Sequence, residues 1–273
     1  MVTQPLHWIE LDSVESTNTW LSDLCKSAVA LQPIAVYAKA QTAGRGRNGR
    51  AWLSQSDSSL CMSVAVPLLH APAPRSTVAV GVSVANFLKS VGLHGVQLKW
   101  PNDLLLQGKK LGGILCESVF ASNPAYQPVT DTCAHECYST VGGRQAQTRS
   151  AWLVAGIGLN VKPVPCADAL GGAGSIALDS GLPPSVLCSL PALGRALAEI
   201  LVADIRADNF AQVRHQFHGL DAWFNQEVCF ESAQGMVCGV GMGLSETGGY
   251  LVDTPQGLHV VEYGEVSLRR RCG

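Results

Sequence analysis

The chain has 273 residues, 47% of them hydrophobic, and its 19 Lys+Arg face 21 Asp+Glu for a formal charge of -2. That length and apolar content suit one large domain or a main domain with a small companion, and the charge excludes the overall basic footprint of a protein that coats nucleic acid. Ten cysteines are dilute for a disulfide scaffold at this length, and the start "MVTQPLHWIELDS" shows neither a basic leader nor a long apolar segment, so the expectation is a cytoplasmic chain with reduced thiols and no membrane span.

A first strand is predicted around His7 to Leu11. "SVESTNTWLSDLCK" then supplies Ser and Thr as N-cap residues before a helix carrying Trp20, Leu21 and Leu24. "IAVYAKA" reads as a second strand that delivers the chain into "GRGRNGR", Gly44 to Arg50. "SLCMSVAVPL" has the continuous apolar character of a buried strand, and from about Thr77 the residues Val80, Val84, Phe87, Leu88 and Val91 recur at helical spacing. "VQLKW", "NDLLL" and "LGGILCES" are strand-like, with "QGKK" as the polar turn of a hairpin. From Ser118 to Ser150 no period survives, which predicts a mobile surface insertion; "AWLVAGIGLNV" then restores a strand. Leu193, Leu197, Ile200, Leu201, Phe210, Val213 and Phe217 make one apolar stripe, expected as one long helix or two in sequence. After about Phe224 short strands and turns predict a small all-β barrel.

The chemistry concentrates in two places. Arg45, Arg47 and Arg50 alternate with Gly44, Gly46 and Gly49; of only seven lysines, Lys99, Lys109 and Lys110 fall within twelve residues. A solvated turn is the ordinary fate of arginines in a loop. Local cation enrichment in a slightly acidic chain, however, fits a compact anionic ligand better than an extended nucleic acid. Neither G-x-x-x-x-G-K-[ST] nor G-x-G-x-x-G at a strand-to-helix turn is present, so the two commonest phosphate cradles are excluded.

"STN" (Ser16 to Asn18), "QTAGRGRNGRAW" (Gln41 to Trp52), "KWPNDLLLQGKKLGGIL" (Lys99 to Leu115) and "GIGLN" (Gly156 to Asn160), in that order, resemble the biotin protein ligases. The likeness runs from Trp8 to Arg269, and "GEVSLR" near the end looks like the family's closing segment. The pairing of GRGRxxRxW with KWPND is the specific part; STN and GIGLN alone would be weak. The resemblance implies an α+β fold, a mixed β-sheet catalytic domain backed by helices over 1-223 with 118-150 as the insertion, and a small SH3-like β-barrel over 224-273. The implied reaction has two steps. Biotin and ATP give biotinyl-5'-adenylate, and a lysine of a biotin carboxyl carrier protein, as in acetyl-CoA carboxylase, then takes the biotinyl group as an amide.

The resemblance also implies roles. Arg47 and Lys110 would be catalytic, where acyl carboxylate and phosphate meet. Ser16, Thr17, Asn18, Gln41, Arg45, Gly46 and Gly113 would join them around biotin, while Arg45, Arg50, Trp52, Lys99, Asn102 and Asn160 would serve ATP, with Asp103 near Mg²⁺. Plainer alternatives stand beside these: helix capping for Ser16 to Asn18, a core aromatic for Trp52, a strand-end turn for Asn160, and a proline turn for KWPND. Lys109 reads as a solvated neighbour. The chain begins almost at the first catalytic strand, so no DNA binding is expected, and a monomer or homodimer is equally compatible with the sequence. "CAHEC" clusters Cys133, His135 and Cys137 but lacks the paired spacing of structural zinc. The competing functions are a lipoate or octanoate transferase, a non-catalytic biotin sensor and a nucleic-acid module.

Overall fold

A computed structural model describes residues 5–27, 32–68, 75–121, 151–162, 174–176, 189–232, 235–262 and 269–270. Almost all of the expected insertion, including Cys133, His135 and Cys137, lies outside them. In chain order the elements are β1 (His7–Val14), α1 (Thr17–Lys26), β2 (Ile34–Gln41), β3 (Ser59–Leu68), α2 (Ser76–Ser90), β4 (Val96–Lys99), β5 (Asp103–Leu106), β6 (Lys109–Phe120) and β7 (Ala151–Asn160). They continue with α3 (Leu190–Ala207), α4 (Phe210–His218), β8 (Glu227–Ser232), β9 (Gly235–Leu244), β10 (Tyr250–Thr254), β11 (Gly257–Val261) and β12 (Arg269–Arg270).

Strands β1 to β7 form one mixed sheet in the order β1-β2-β3-β7-β6-β5-β4. Only the β1–β2 pair is parallel; the hairpins and long ladders of the other strands are antiparallel. Side chains alternate between the two faces of a strand, and both faces here are covered. On one, Ile34, Val36, Ala65, Trp152 and Val154 bury against Leu21 and Cys25 of α1. On the other, Ala35, Tyr37, Leu60, Met62 and Val64 pack into the larger cluster with α2 and α3 residues such as Val80, Val84, Leu197 and Leu201. Each such aliphatic side chain contributes roughly 1.5–3 kcal/mol on burial. This is why "SLCMSVAVPL" carries no hydrophobic alternation: neither of its faces meets water.

The apolar stripe of residues 191–217 forms two helices. Asp208 takes a left-handed conformation (φ 40°) after α3, and Asn209 Oδ1 accepts from Gln212 N (3.2 Å) to cap α4. Beyond α4 the chain seals the open edge of the sheet: Leu98 N donates to Leu220 O (2.7 Å) and Ala222 N to Leu98 O (2.9 Å). It then enters a five-stranded antiparallel sheet, β11-β10-β9-β8-β12. Trp100 Nε1 donates to Gly248 O (3.0 Å), fixing the KWPND corner to the second sheet.

The expectation of reduced thiols is corrected at one pair. Antiparallel register sets Cys229 of β8 opposite Cys238 of β9, and the two are joined as a disulfide.

Candidate active site

Three neighbouring parts of the sheet and one loop enclose a cavity of about 380 Å³ on the α1 side. The loop is an ordered hairpin. Thr42 N and Ala43 N donate to Val14 O and Glu15 O, Trp52 N donates to Gly44 O (2.8 Å), and Gly46 N donates to Arg50 O (2.7 Å). Its tip, Arg47–Gly49, is a single 3₁₀ turn with Asn48 at φ 53°, a conformation that asparagine tolerates.

At one end of the cavity the side chains are uncharged. Ser16 caps α1, accepting from Thr19 N (3.4 Å), and also lines the cavity, so capping and pocket lining coexist in one residue. Thr17 donates to Gln41 Oε1 through both N (2.8 Å) and Oγ1 (3.0 Å), which leaves the Gln41 amide nitrogen as a donor toward other partners. Buried Ser63 donates toward Thr17 Oγ1 (2.8 Å) and Asn18 Oδ1 (2.9 Å). The amide nitrogen of Asn18 reaches Leu115 O (3.4 Å) and Glu117 Oε2 (2.6 Å).

The rest of the lining is cationic. Arg45, Arg47, Arg50, Lys99 and Lys110 line the cavity, against the carboxylates of Asp103 and Glu231. That is an excess of three positive charges in a chain of net charge -2. The loop arginines point to opposite walls. Arg45 donates to Thr19 Oγ1 (3.1 Å) and Glu117 Oε1 (3.0 Å), whereas Arg47 donates to Asn102 Oδ1 (3.2 Å). Lys110 Nζ bonds Asp103 Oδ1 (2.7 Å) and lies 6.0 Å from the Trp52 ring; Lys99 Nζ sits 5.1 Å from the Trp223 ring centre. Asn102 Nδ2 donates to Ile114 O (3.2 Å), tying the KWPND corner to β6.

The glycines of "GIGLN" make this cavity possible. Gly156 and Gly158 fall on the α1 face of β7, while Ile157 and Leu159 fall in the core on the other. A Cβ at position 156 would stand 2.5 Å from Asn18 Oδ1, and one at 158 would stand 2.5 Å from the Trp52 ring. Both approaches are closer than any side chain permits.

Of the residues singled out in the sequence, Ser16, Thr17, Asn18, Gln41, Arg45, Gly46, Arg47, Arg50, Trp52, Lys99, Asn102, Asp103, Lys110 and Gly113 all line this cavity. Asn160 is not part of its lining; it is 5% exposed at the end of β7, opposite Ser59. Lys109 is exposed beside Lys110. Sequence reasoning missed Ser63, Glu117 and Glu231. Ser63 was detectable as a hydroxyl inside an apolar strand, but nothing local marks the other two.

Among the described residues no three His, Cys, Asp or Glu side chains gather to hold a metal. Burial pushes the free thiols of Cys25 and Cys116 up to about 12 and that of Cys61 upward too, so none of these three offers a thiolate nucleophile near neutral pH.

Comparison with known proteins agrees with this geometry. The model of the Biotin/lipoate A/B protein ligase family matches residues 10–129. The chain is 26% identical to the bifunctional ligase/repressor BirA of Escherichia coli (strain K12), over 95% of this chain and 73% of that protein. It is also 26% identical to the biotin--[acetyl-CoA-carboxylase] ligase of Paracoccus denitrificans, over 94% of this chain and 98% of that one. Among solved structures it resembles a biotin protein ligase from Aquifex aeolicus in complex with biotin and ATP, at TM-score 0.68 and 26% identity, covering 97% and 99% of the two chains.

Proposed function

We propose that this chain is a member of the biotin/lipoate A/B protein ligase family, whose model matches residues 10–129, and on that premise that it activates biotin with ATP and transfers it to a lysine of a biotin carboxyl carrier protein. The observation that carries the reading is the union, in one cavity, of an uncharged hydrogen-bonding clamp and a wall of five cations. Biotin has that polarity: a neutral ureido head needing donors and an acceptor, and an anionic carboxylate at the far end of an apolar chain.

In the first step a biotin carboxylate oxygen attacks the α-phosphorus of ATP and pyrophosphate leaves. Two unit anions about 4 Å apart repel by about 1 kcal/mol in water and about 4 kcal/mol at an effective dielectric near 20. Arg47 on the loop and Lys110 on β6 are the residues we assign to cancel that repulsion, since both line the cavity and converge on the KWPND corner, at Asn102 and Asp103. Donors fixed before the reaction stabilise the developing charge without reorganisation. Arg50, Lys99 and Asn102 are assigned to the polyphosphate, and Trp52 to packing against the base. Asp103, beside Asn102, would help hold a magnesium ion brought in with the phosphates, and the ion would spread phosphate charge. In the second step the carrier lysine amine attacks the acyl carbon and AMP leaves. The hairpin loop shields the mixed anhydride from water in the interval.

Incubation with ATP, Mg²⁺ and either biotin or lipoate, followed by mass spectrometry, tests the reading. It expects biotinyl-5'-adenylate and pyrophosphate; a lipoyl adenylate with no biotinyl product would overturn the substrate assignment.

A further inference from the structure

We infer that Glu117, which does not itself line the cavity, is a positioning residue that locks the uncharged clamp and the arginine loop to one another and thereby sets biotin affinity and retention of the adenylate. This inference rests on the ligase reading above. Glu117 lies on β6, on the same strand face as Gly113 and Leu115 by the two-residue alternation. Its two carboxylate oxygens have different duties. Oε2 accepts from Asn18 Nδ2 at 2.6 Å, and Oε1 accepts from Arg45 Nη2 at 3.0 Å, while Arg45 Nη1 bonds Thr19 Oγ1 on α1 at 3.1 Å.

Asn18 is 3% exposed. An amide's oxygen and nitrogen have nearly the same shape, so only its partners decide which end points where. A carboxylate accepts and cannot donate, and Glu117, backed by the longer contact to Leu115 O (3.4 Å), therefore fixes the Asn18 nitrogen toward β6 and its oxygen toward Ser63. Replacing the carboxylate by an amide, which can donate as well as accept, weakens the stronger of these two constraints on which end of Asn18 faces the ligand.

The second oxygen acts on the loop. An isolated ion pair with side chains 49% and 29% exposed would hold Arg45 weakly. Here the carboxylate is already immobilised by the buried amide, so Arg45 meets a fixed partner and the loop's first arginine is directed to the clamp side while Arg47 reaches the KWPND side. Together the two contacts give a physical reason for the division between these arginines, which their spacing alone does not distinguish.

Glu117→Gln is nearly isosteric and tests the idea through steady-state pyrophosphate release, release of preformed adenylate, and thermal melting. We expect KM for biotin to rise about tenfold, KM for ATP to stay within about twofold, and the protein-bound adenylate to be lost about fivefold faster at an unchanged melting temperature. Adding Arg45→Ala to Glu117→Gln should raise the loss rate by less than Arg45→Ala does in the wild type, because residues acting through one contact are not additive. If Glu117→Gln fails to fold, Glu117→Asp keeps the charge, shortens the reach by one methylene, and should show the same split between the two KM values. Equal rises in both KM values, wild-type behaviour of both variants, or fully additive loss rates would overturn the inference alone. A wild-type protein that makes no biotinyl adenylate would overturn the ligase reading and this inference with it.

Discussion

Gly158→Ala separates the two halves of the cavity. The added Cβ would lie 2.5, 2.6 and 2.8 Å from Cε2, Cζ2 and Nε1 of Trp52. Ordinary carbon contacts are about 3.5–4.0 Å, so the ring must retreat by about 1 Å. An indole cannot yield by rotating a flexible tip, and Trp52 is also held through its own backbone bond to Gly44 O. Overpacking of this kind costs about 1–3 kcal/mol. Charged to nucleotide binding, that is about a 5- to 150-fold rise in KM for ATP. The clamp of Thr17, Gln41 and Ser63 is held by its own hydrogen bonds, so KM for biotin should change less than about threefold. Pyrophosphate release measured with each substrate varied in turn reads both numbers. An unchanged KM for ATP, or a parallel loss for both substrates, would refute the assignment of Trp52 to the nucleotide side.

Further expectations follow from the same geometry. Arg47→Gly should speed loss of the adenylate, so that mass spectrometry finds biotin on lysines of unrelated proteins, whereas Lys110→Ala should lower kcat by about 10²- to 10³-fold, as for loss of a single preorganised donor. Asp221 accepts from Trp223 N (2.9 Å) and Tyr250 Oη (2.7 Å), yet burial lifts its pKa to about 6. Because its folded pKa is raised, the contribution of Asp221 to stability is greatest below the unfolded value near 4 and falls as pH rises through about 6. Asp221→Asn should abolish that part of the slope, worth up to about 3 kcal/mol, and identical urea-unfolding profiles for both proteins between pH 4 and 7 would count against it. Closing a loop of about ten residues through Cys229 and Cys238 should contribute about 2–3 kcal/mol, so a reductant should lower the denaturation midpoint of the wild type but not that of the double Ser variant.

Most of the fold could be read from the sequence because its signals are local. The alternation of Ile34 and Val36 against Ala35 and Tyr37, the helical recurrence of Val80, Val84, Phe87 and Leu88, and the polar turns all act within a few residues. The break between α3 and α4 was open, since it depends on the left-handed Asp208 and the cap at Asn209 rather than on any gap in the apolar stripe. For the site, GRGRNGR and KWPND announced their cations, yet spacing could not reveal that Arg45 and Arg47 bond opposite walls. Glu117 lies 99 residues from Asn18 and 72 from Arg45, and Glu231 reaches the cavity from the second sheet. Such partners become visible only once the strand register is known. The Cys229–Cys238 pair has the same origin: two unremarkable cysteines become neighbours only through the β8–β9 ladder.

The most direct measurement is biotin-dependent exchange of labelled pyrophosphate into ATP by the purified protein, followed by addition of a biotin carboxyl carrier domain. The account predicts exchange with biotin and none with lipoate, retention of biotinyl-5'-adenylate on the protein, and release of AMP as one carrier lysine gains a biotinyl amide. A protein that binds biotin but supports no exchange would contradict it.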